Sequence, residues 1–363
     1  MKTIGIAGGG QLGRMLTDAA HRLGFKVVVL DPTSNSPAAQ VADEQIIGDY
    51  KDGAMLRALA EKSDFLTYEI ESVNAEVLEE LSKQMPVNPS PKTLGIIKDK
   101  LTQKKFLQER GIPVAPFSDD IEGFGYPYIL KARSGGFDGR GNALVEKAED
   151  LQKAMEKLRG VPAYAERIVP FEKELAIVAA RTTDGQIQIF PLVETIHKNH
   201  ICHMTLAPAP VAKDVAQKAH DLAQKVLASF DGAGVFAIEM FLANGEVLVN
   251  EIAPRVHNSG HFTIEACHAS QFEQHIRAIT RVPLADSSMK VPAAVMVNIL
   301  GERSGKAEPK GVEKAEAIEG VKVHIYGKMD TRPERKMGHI TALGATLDDA
   351  KKKAEKAKAL ISI

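Results

Sequence analysis

Residues 234–261, GVFAIEMFLANGEVLVNEIAPRVHNSGH, decide how the rest of the chain is read. Two runs of strand length, 235–242 and 246–252, are β-branched and apolar, and Asn244-Gly245 between them is a strong hairpin signal. Each run nevertheless carries a carboxylate in its interior, Glu239 in FAIEMF and Glu251 in LVNEIA. An ionised group inside a strand needs compensation for its lost hydration, and a divalent cation supplies it. A solvent-facing glutamate on a half-buried sheet is the plainer reading of either residue alone. Two of them, followed by Arg255, His257, Asn258 and His261, favour a site. Side chains alternate faces along a strand, which sets a parity test. With a plain two-residue turn Glu239 opposes Asn250 and Glu251 falls on the other face. A shared cation therefore requires an odd count, from a three-residue loop over 244–246 or an equivalent bulge.

The 363 residues suit two or three domains with a large core. A formal net charge of -1 with 26% charged residues gives no overall basic field, so neither nucleic acid nor an anionic membrane is an expected partner. No run approaches the roughly 20 apolar residues of a membrane span, and the start, MKTIGIAGGG, is too short an apolar run for a signal peptide. Cys202 and Cys267 are too few for a disulfide framework, which fits a soluble protein of the reducing cytoplasm.

From the N-terminus, a strand over 2–7 leads into Gly8, Gly10 and Gly13, then an amphipathic helix, then a buried strand closing on Asp31. This is a βαβ opening. Its glycines could seat a dinucleotide with Asp31 on a ribose, which keeps an NAD-binding oxidoreductase open, or could serve helix packing or a single phosphate. Further βα units run to a strand closing at Tyr68-Glu69-Ile70-Glu71, whose carboxyl edge is where open α/β sheets gather ligands, so Glu71 is a candidate. After Pro86, Pro89 and Pro91 a lysine-rich helix is predicted over 96–110.

A strand then delivers Lys131 immediately before ARSGGFDGRGN, with four glycines between 135 and 141. Such a loop can wrap an anion with backbone N–H groups and move over it; the alternative is an ordinary turn beside a surface lysine. No Walker A motif occurs. Strands carrying Glu166 and Glu174 follow, then His197, His200 and His203 at a spacing unlike a zinc site. One helix is predicted over 263–279. Near the C-terminus, Lys328, Arg332, Arg335 and Lys336 fall within nine residues, a solvated basic run or a phosphate-binding loop.

Five motifs, GGGQLGRM at 8–15, DKLTQKKFL at 99–107, LKARSGGFDGRGN at 130–142, NEIAPRVHNSGH at 250–261 and YGKMDTRPERKMGHIT at 326–341, together resemble the 5-(carboxyamino)imidazole ribonucleotide synthase family of ATP-grasp enzymes. The resemblance implies an α/β and α+β protein with the ATP-grasp fold. Its parts would be a Rossmann-like βαβ domain over 1–93, an ATP-grasp domain over 94–290 with a mobile lid at about 118–180, and a small C-terminal domain over 291–363. It implies ATP- and bicarbonate-dependent carboxylation of aminoimidazole ribonucleotide through carboxyphosphate, in a homodimer.

By the same resemblance Lys100 and Lys131 contact the ATP phosphates. Gly136, Phe137, Asp138, Gly139, Arg140, Gly141 and Asn142 cover them, and Glu166, Arg167, Ile168, Val169 and Glu174 hold adenine and ribose. His197, Asn250 and Glu251 complete the nucleotide site, and Glu239 and Glu251 carry Mg2+. Arg255, His257 and Asn258 position bicarbonate, carboxyphosphate or the amine. Gly10, Gln11, Leu12, Glu71, Phe137, Asp138, Arg255, Lys328, Arg332, Arg335 and Lys336 receive the ribonucleotide. Another ATP-grasp ligase of a purine precursor and a nucleotide-sensing module are the remaining alternatives.

Overall fold

The computed structural model describes residues 1–136 and 141–363. Strands Thr3–Ala7, Lys26–Asp31, Glu44–Ile47 and Phe65–Tyr68 form a parallel sheet in the spatial order third, second, first, fourth. Helices Gln11–Arg22 and Gly53–Glu61 make crossovers between its strands, and Ala75–Ser82 follows the last of them. Asp52 and Asn74 begin the last two helices, accepting from the Ala54 N–H at 2.8 Å and the Val77 N–H at 3.2 Å.

The single helix predicted over 96–110 forms as two, Pro91–Ile97 and Lys100–Glu109. Asp99 separates them. Its carboxylate accepts from the Thr102 N–H at 2.9 Å and grips the Arg133 guanidinium through Nε at 2.9 Å and Nη2 at 2.6 Å, so a fresh helix starts at Lys100. The second predicted helix, over 263–279, likewise divides into Thr263–Ala266 and Gln271–Thr280. There the Ser270 hydroxyl caps the Glu273 N–H at 3.1 Å.

A small antiparallel sheet of Phe117–Ser118, Ala163–Glu166, Tyr128–Ala132 and Asn142–Val145 carries the glycine-rich loop. Gly136 and Gly141 meet at its base, where a Cβ on either would fall 2.9 or 2.8 Å from the Cα of the other.

Among the described residues the largest sheet has nine strands, one of which, Ile187–Ile189, pairs with Lys173–Arg181 off the main path. Its path runs from the hairpin, Glu246–Ala253 and Gly234–Ala243, through Lys173–Arg181, Val193–Lys198, Ile201–Ala207 and Ala293–Leu300 to Lys336–Gly344 and Val321–Ile325. Alternation along the strands sorts two cores. Val178, Ala180, Val235 and Ala237 pack with helices Gln11–Arg22 and Gln271–Thr280, whereas Ile177, Ala179, Phe236 and Ile238 pack under helix Lys213–Ala228. Glu239 has the parity of Val235 and Ala237, and so opens toward the N-terminal unit. Helix Leu347–Leu360 covers the far end of the sheet with Ala350, Ala354 and Ala357. Among the described residues no helix is long and apolar enough to cross a membrane.

Candidate active site

The hairpin closes on a two-residue turn, with Ala243 opposite Glu246 and positive φ at Asn244 (53°) and Gly245 (74°). Asn and Gly tolerate that conformation, so no third loop residue is required. The odd count arises further along. Met240 pairs with Val249 and Glu239 with Glu251, leaving Asn250 as the extra residue of a β-bulge. Of the two devices the parity test allowed, the bulge is the one used, and it places Glu251 on the face of Glu239. Residues directly opposed in such a pair hold their Cβ atoms about 4.5–5.5 Å apart.

Two carboxylates this close resist joint ionisation. Burial, and then the charge of Glu251, push Glu239 up from 4.5 to about 7. The partners nearby are modest: His257 Nε2 at 3.5 Å and the Asn250 amide at 3.5 Å for Glu239, and Lys100 Nζ at 2.8 Å for Glu251. Paired oxygen donors short of positive charge fit magnesium. Between 4.5 and about 7 the folded protein binds the Glu239 proton more tightly than the unfolded chain, so cation-free stability falls as pH rises through that range. Mg2+ competes with that proton. Added Mg2+ should raise the Tm more at about pH 8 than at about pH 6; equal shifts, or an undiminished response in Glu239→Gln, would remove this pair as the magnesium site.

Helix Lys100–Glu109 lies against the hairpin edge because the Gln103 side-chain amide replaces a strand there: its oxygen accepts from the Ile252 N–H at 2.9 Å and its nitrogen donates to the Ile252 carbonyl at 3.2 Å. Lys100 therefore reaches Glu251, and Lys104, one turn on, turns inward. Lys104 Nζ lies 2.9 Å from Glu166 Oε2, and Lys131 Nζ is ion-paired with Glu166 Oε1 and 3.3 Å from Asn250 Oδ1. Burial alone would raise the Glu166 carboxyl, but Lys131 and Lys104 together hold it below its usual value. Burial drives Lys104 down to about 8 against the pull of Glu166. Lys104 is absent from the residues read out of the sequence, although its i, i+4 spacing from Lys100 puts both on one helix face.

Glu174 is ion-paired with His197. Burial disfavours the imidazolium, yet Glu174 raises the His197 pKa overall. The Arg167 guanidinium is committed to the carbonyls of Phe124, Gly125 and Pro127 at 2.9 to 3.0 Å, so its side chain braces the segment that leads into strand Tyr128–Ala132. Ile168 is exposed at 39% and Val169 follows it. Gly136, Gly141 and Asn142 stand at the base of the loop; Phe137, Asp138, Gly139 and Arg140 lie outside the described residues.

Beyond the hairpin, Arg255 Nη2 sits 3.1 Å from Glu71 Oε1, joining the first sheet's carboxyl edge to the turn that follows the hairpin. The His257 backbone is clamped by Gln271, whose amide oxygen accepts from its N–H at 2.9 Å and whose nitrogen donates to its carbonyl at 2.7 Å. Burial, and then the charges of Arg255 and Lys336, keep the His257 ring well below its usual pKa, hence neutral. Asn258 and Asn298 exchange amide hydrogen bonds at 2.9 and 2.7 Å.

The basic loop lies on the same side. Lys328 donates to the Lys336 carbonyl at 2.7 Å, and Arg335 to the Asp330 carbonyl at 2.5 Å, while Arg332 is exposed. Burial, and then the neighbouring Arg335, push Lys328 down to about 8. Gln40 donates to the Gly327 carbonyl at 2.8 Å and ties this loop to the N-terminal unit.

The opening glycine turn is already filled. The Glu69 carboxylate accepts from the N–H groups of Gly10 and Gly13, and Asp31 accepts from the Gly9 N–H at 2.7 Å. The donors a dinucleotide pyrophosphate would need thus face the protein's own carboxylates, which removes the oxidoreductase reading. Gln11 is partly exposed at the helix start, and Leu12 belongs to the core.

A strand lysine that reaches Asn250 of a two-carboxylate hairpin, with a glycine-rich stretch following it in the sequence, is the arrangement of ATP-grasp enzymes, and residues 106–272 match the ATP-grasp domain. Residues 1–98 match the ribonucleotide synthetase preATP-grasp domain and 294–353 the phosphoribosylaminoimidazole carboxylase C-terminal domain. The chain is 39% identical to N5-carboxyaminoimidazole ribonucleotide synthase of Bacillus subtilis over 95% of its own length and 92% of the relative's. It is 44% identical to phosphoribosylaminoimidazole carboxylase of Ogataea methanolica, across 97% of this chain and 68% of that protein. It spans 65% of the Candida albicans counterpart. Among solved structures, N5-carboxyaminoimidazole ribonucleotide synthetase from Thermotoga maritima superposes with a TM-score of 0.91 at 45% identity, covering 100% of this chain and 99% of that one. The Aspergillus clavatus N5-carboxyaminoimidazole synthase in complex with ADP and 5-aminoimidazole ribonucleotide gives 0.90 at 37%, covering 99% and 98%. The chain belongs to the N5-carboxyaminoimidazole ribonucleotide synthase family.

Proposed function

We propose that this protein carboxylates the amine of 5-aminoimidazole ribonucleotide at the expense of ATP and bicarbonate, giving N5-carboxyaminoimidazole ribonucleotide, ADP and phosphate in purine biosynthesis. The observation that carries this reading is the bulge at Asn250, which turns Glu239 and Glu251 to one face between the lysines of the lid side and the Arg255–Asn258 turn. Bicarbonate oxygen attacks the γ-phosphorus, the bond to ADP breaks, and carboxyphosphate forms. The amine nitrogen then attacks the carboxyl carbon, phosphate departs, and the nitrogen gives up a proton.

In this proposal Lys100 and Lys131 offset phosphate charge, and Gly136 to Asn142 close over it, with Phe137 and Asp138 at the acceptor boundary. Residues 166–169 hold adenine mainly through backbone, since Arg167 is engaged elsewhere, and Glu174 and His197 meet the ribose. Magnesium held by Glu239 and Glu251 would neutralise phosphate oxygens as charge builds during transfer. Arg255 orients the small anion, and Asn258, fixed by Asn298, keeps the turn in place. Lys328 and Arg335 bind the ribonucleotide phosphate, with Arg332 and Lys336 in the same loop, and His257, 3.5 Å from Glu239, joins Arg255 and Asn258 in positioning the small anion or the amine. Glu71 and the 10–12 segment border the imidazole. A cytoplasmic homodimer completes the proposal, on family membership.

Phosphate release from Mg-ATP with bicarbonate tests it. Aminoimidazole ribonucleotide should stimulate release, and the carboxylated product should form in equal amount; stimulation by glycinamide ribonucleotide with formate instead would overturn the acceptor. Lys328→Ala should raise the ribonucleotide KM about tenfold or more, as for a lost hydrogen bond to a charged group, and leave the ATP KM unchanged. A shift in the ATP KM alone would mean the two ends are reversed.

A further inference from the structure

Behind the catalytic turn, Glu265 of helix Thr263–Ala266, His324 of strand Val321–Ile325 and His339 of strand Lys336–Gly344 converge, with one donor atom of each within 4.8 Å of the others. The histidines are cross-strand partners, which aims both rings at the same face of the sheet. His339 is fully buried, and the Glu265 side chain is 11% exposed. One atom of each is already engaged: the Tyr326 hydroxyl lies 3.0 Å from His339 Nδ1, and His324 Nε2 lies 2.7 Å from Glu265 Oε1. The other atom of each, His339 Nε2 and Glu265 Oε2, is buried with no hydrogen-bond partner.

Leaving a buried polar atom unpaired costs about 1–3 kcal/mol. Two such atoms in one cluster call for a shared occupant. Two imidazoles and one carboxylate form a mixed nitrogen and oxygen set that suits zinc and its neighbours, whereas magnesium and calcium take oxygen donors. The Tyr326 hydroxyl on His339 Nδ1 supplies the outer contact that orients a ligating histidine. We infer that Glu265, His324 and His339 form a binding site for a divalent transition-metal ion of the zinc class, separate from the ATP cleft. The His324 and His339 rings now stack at 4.5 Å with planes 16° apart, so His324, the member with 32% exposure, rotates out of the stack to close on the ion. An ion there ties the helix that follows the catalytic turn to strand Lys336–Gly344, which starts at Lys336, and to strand Val321–Ile325, which ends three residues before Lys328.

The test uses the full chain, stripped with a chelator and titrated with Co2+ in excess Mg2+, which masks the cleft carboxylates. One equivalent should bind, with visible absorption of nitrogen-coordinated Co2+, and Zn2+ should displace it. His324→Ala should weaken Co2+ binding at least about tenfold and abolish the rise in Tm with Zn2+, while Glu239→Gln should leave both intact. If His324→Ala fails to unfold cooperatively, Glu265→Gln replaces it with the same expectation. Absence of stoichiometric Co2+ binding overturns the inference. So does binding that survives the substitution and is lost in Glu239→Gln.

Discussion

Lys131→Ala should lower turnover by about 10²- to 10³-fold, the loss seen when one preorganised donor to a developing charge is removed. Lys131 Nζ stands between the Glu166 carboxylate and Asn250 Oδ1, so its position is fixed before substrate arrives and little reorganisation is needed at the moment of transfer. The fold should survive, because Lys104 remains 2.9 Å from Glu166 and keeps that carboxylate paired. Single-turnover phosphate release beside a thermal melt separates the two effects. A variant within about threefold of the parent would take Lys131 out of the phosphate-transfer step.

Glu166→Ala should cost about 3–5 kcal/mol of stability, since it strands two lysines in a space with little water. Lys104 is 2% and Lys131 12% exposed, and neither has another carboxylate at ion-pair distance among the described residues. Burial holds Lys104 down to about 8 even against the pull of Glu166, and without that carboxylate it falls further, so loss of the proton limits the damage and the destabilisation should shrink as pH rises. Urea unfolding of a second variant, Glu166→Gln with Lys104→Met, distinguishes structure from binding. The pair should recover most of the stability while nucleotide affinity stays low. A single Glu166→Ala variant within about 1 kcal/mol of the parent would show that the lysines find water instead.

Much of this site was legible in the residues. The parity argument from Glu239, Asn244, Gly245 and Glu251 demanded an odd residue, and Asn250 is that residue. It could not decide between turn and strand, because Asn-Gly allows either a tight turn or a loop and only cross-strand pairing settles which. Motif order identified the family. What escaped were contacts that depend on tertiary placement. Asp99 ends a helix because Arg133, 34 residues away, fixes its carboxylate, and Lys104 matters because Glu166 is brought beneath it. Glu69 was read as part of a strand end, yet its carboxylate fills the glycine turn. A local pattern shows that such a turn can hold an anion; the fold determines which anion arrives.

The nine-stranded sheet has a consequence for how the protein is put together. Strand Ala293–Leu300 pairs with Ile201–Ala207 on one side and Lys336–Gly344 on the other, so the C-terminal residues are stitched into the ladder that also carries the hairpin. They are therefore no detachable appendage. Until they dock, Ile201–Ala207 is an open edge with a row of unpaired N–H and C=O groups, the kind of surface on which chains aggregate. Docking of the C-terminal strands is thus also what seals the edge left by Ile201–Ala207, and a nascent chain has good reason not to pause before them.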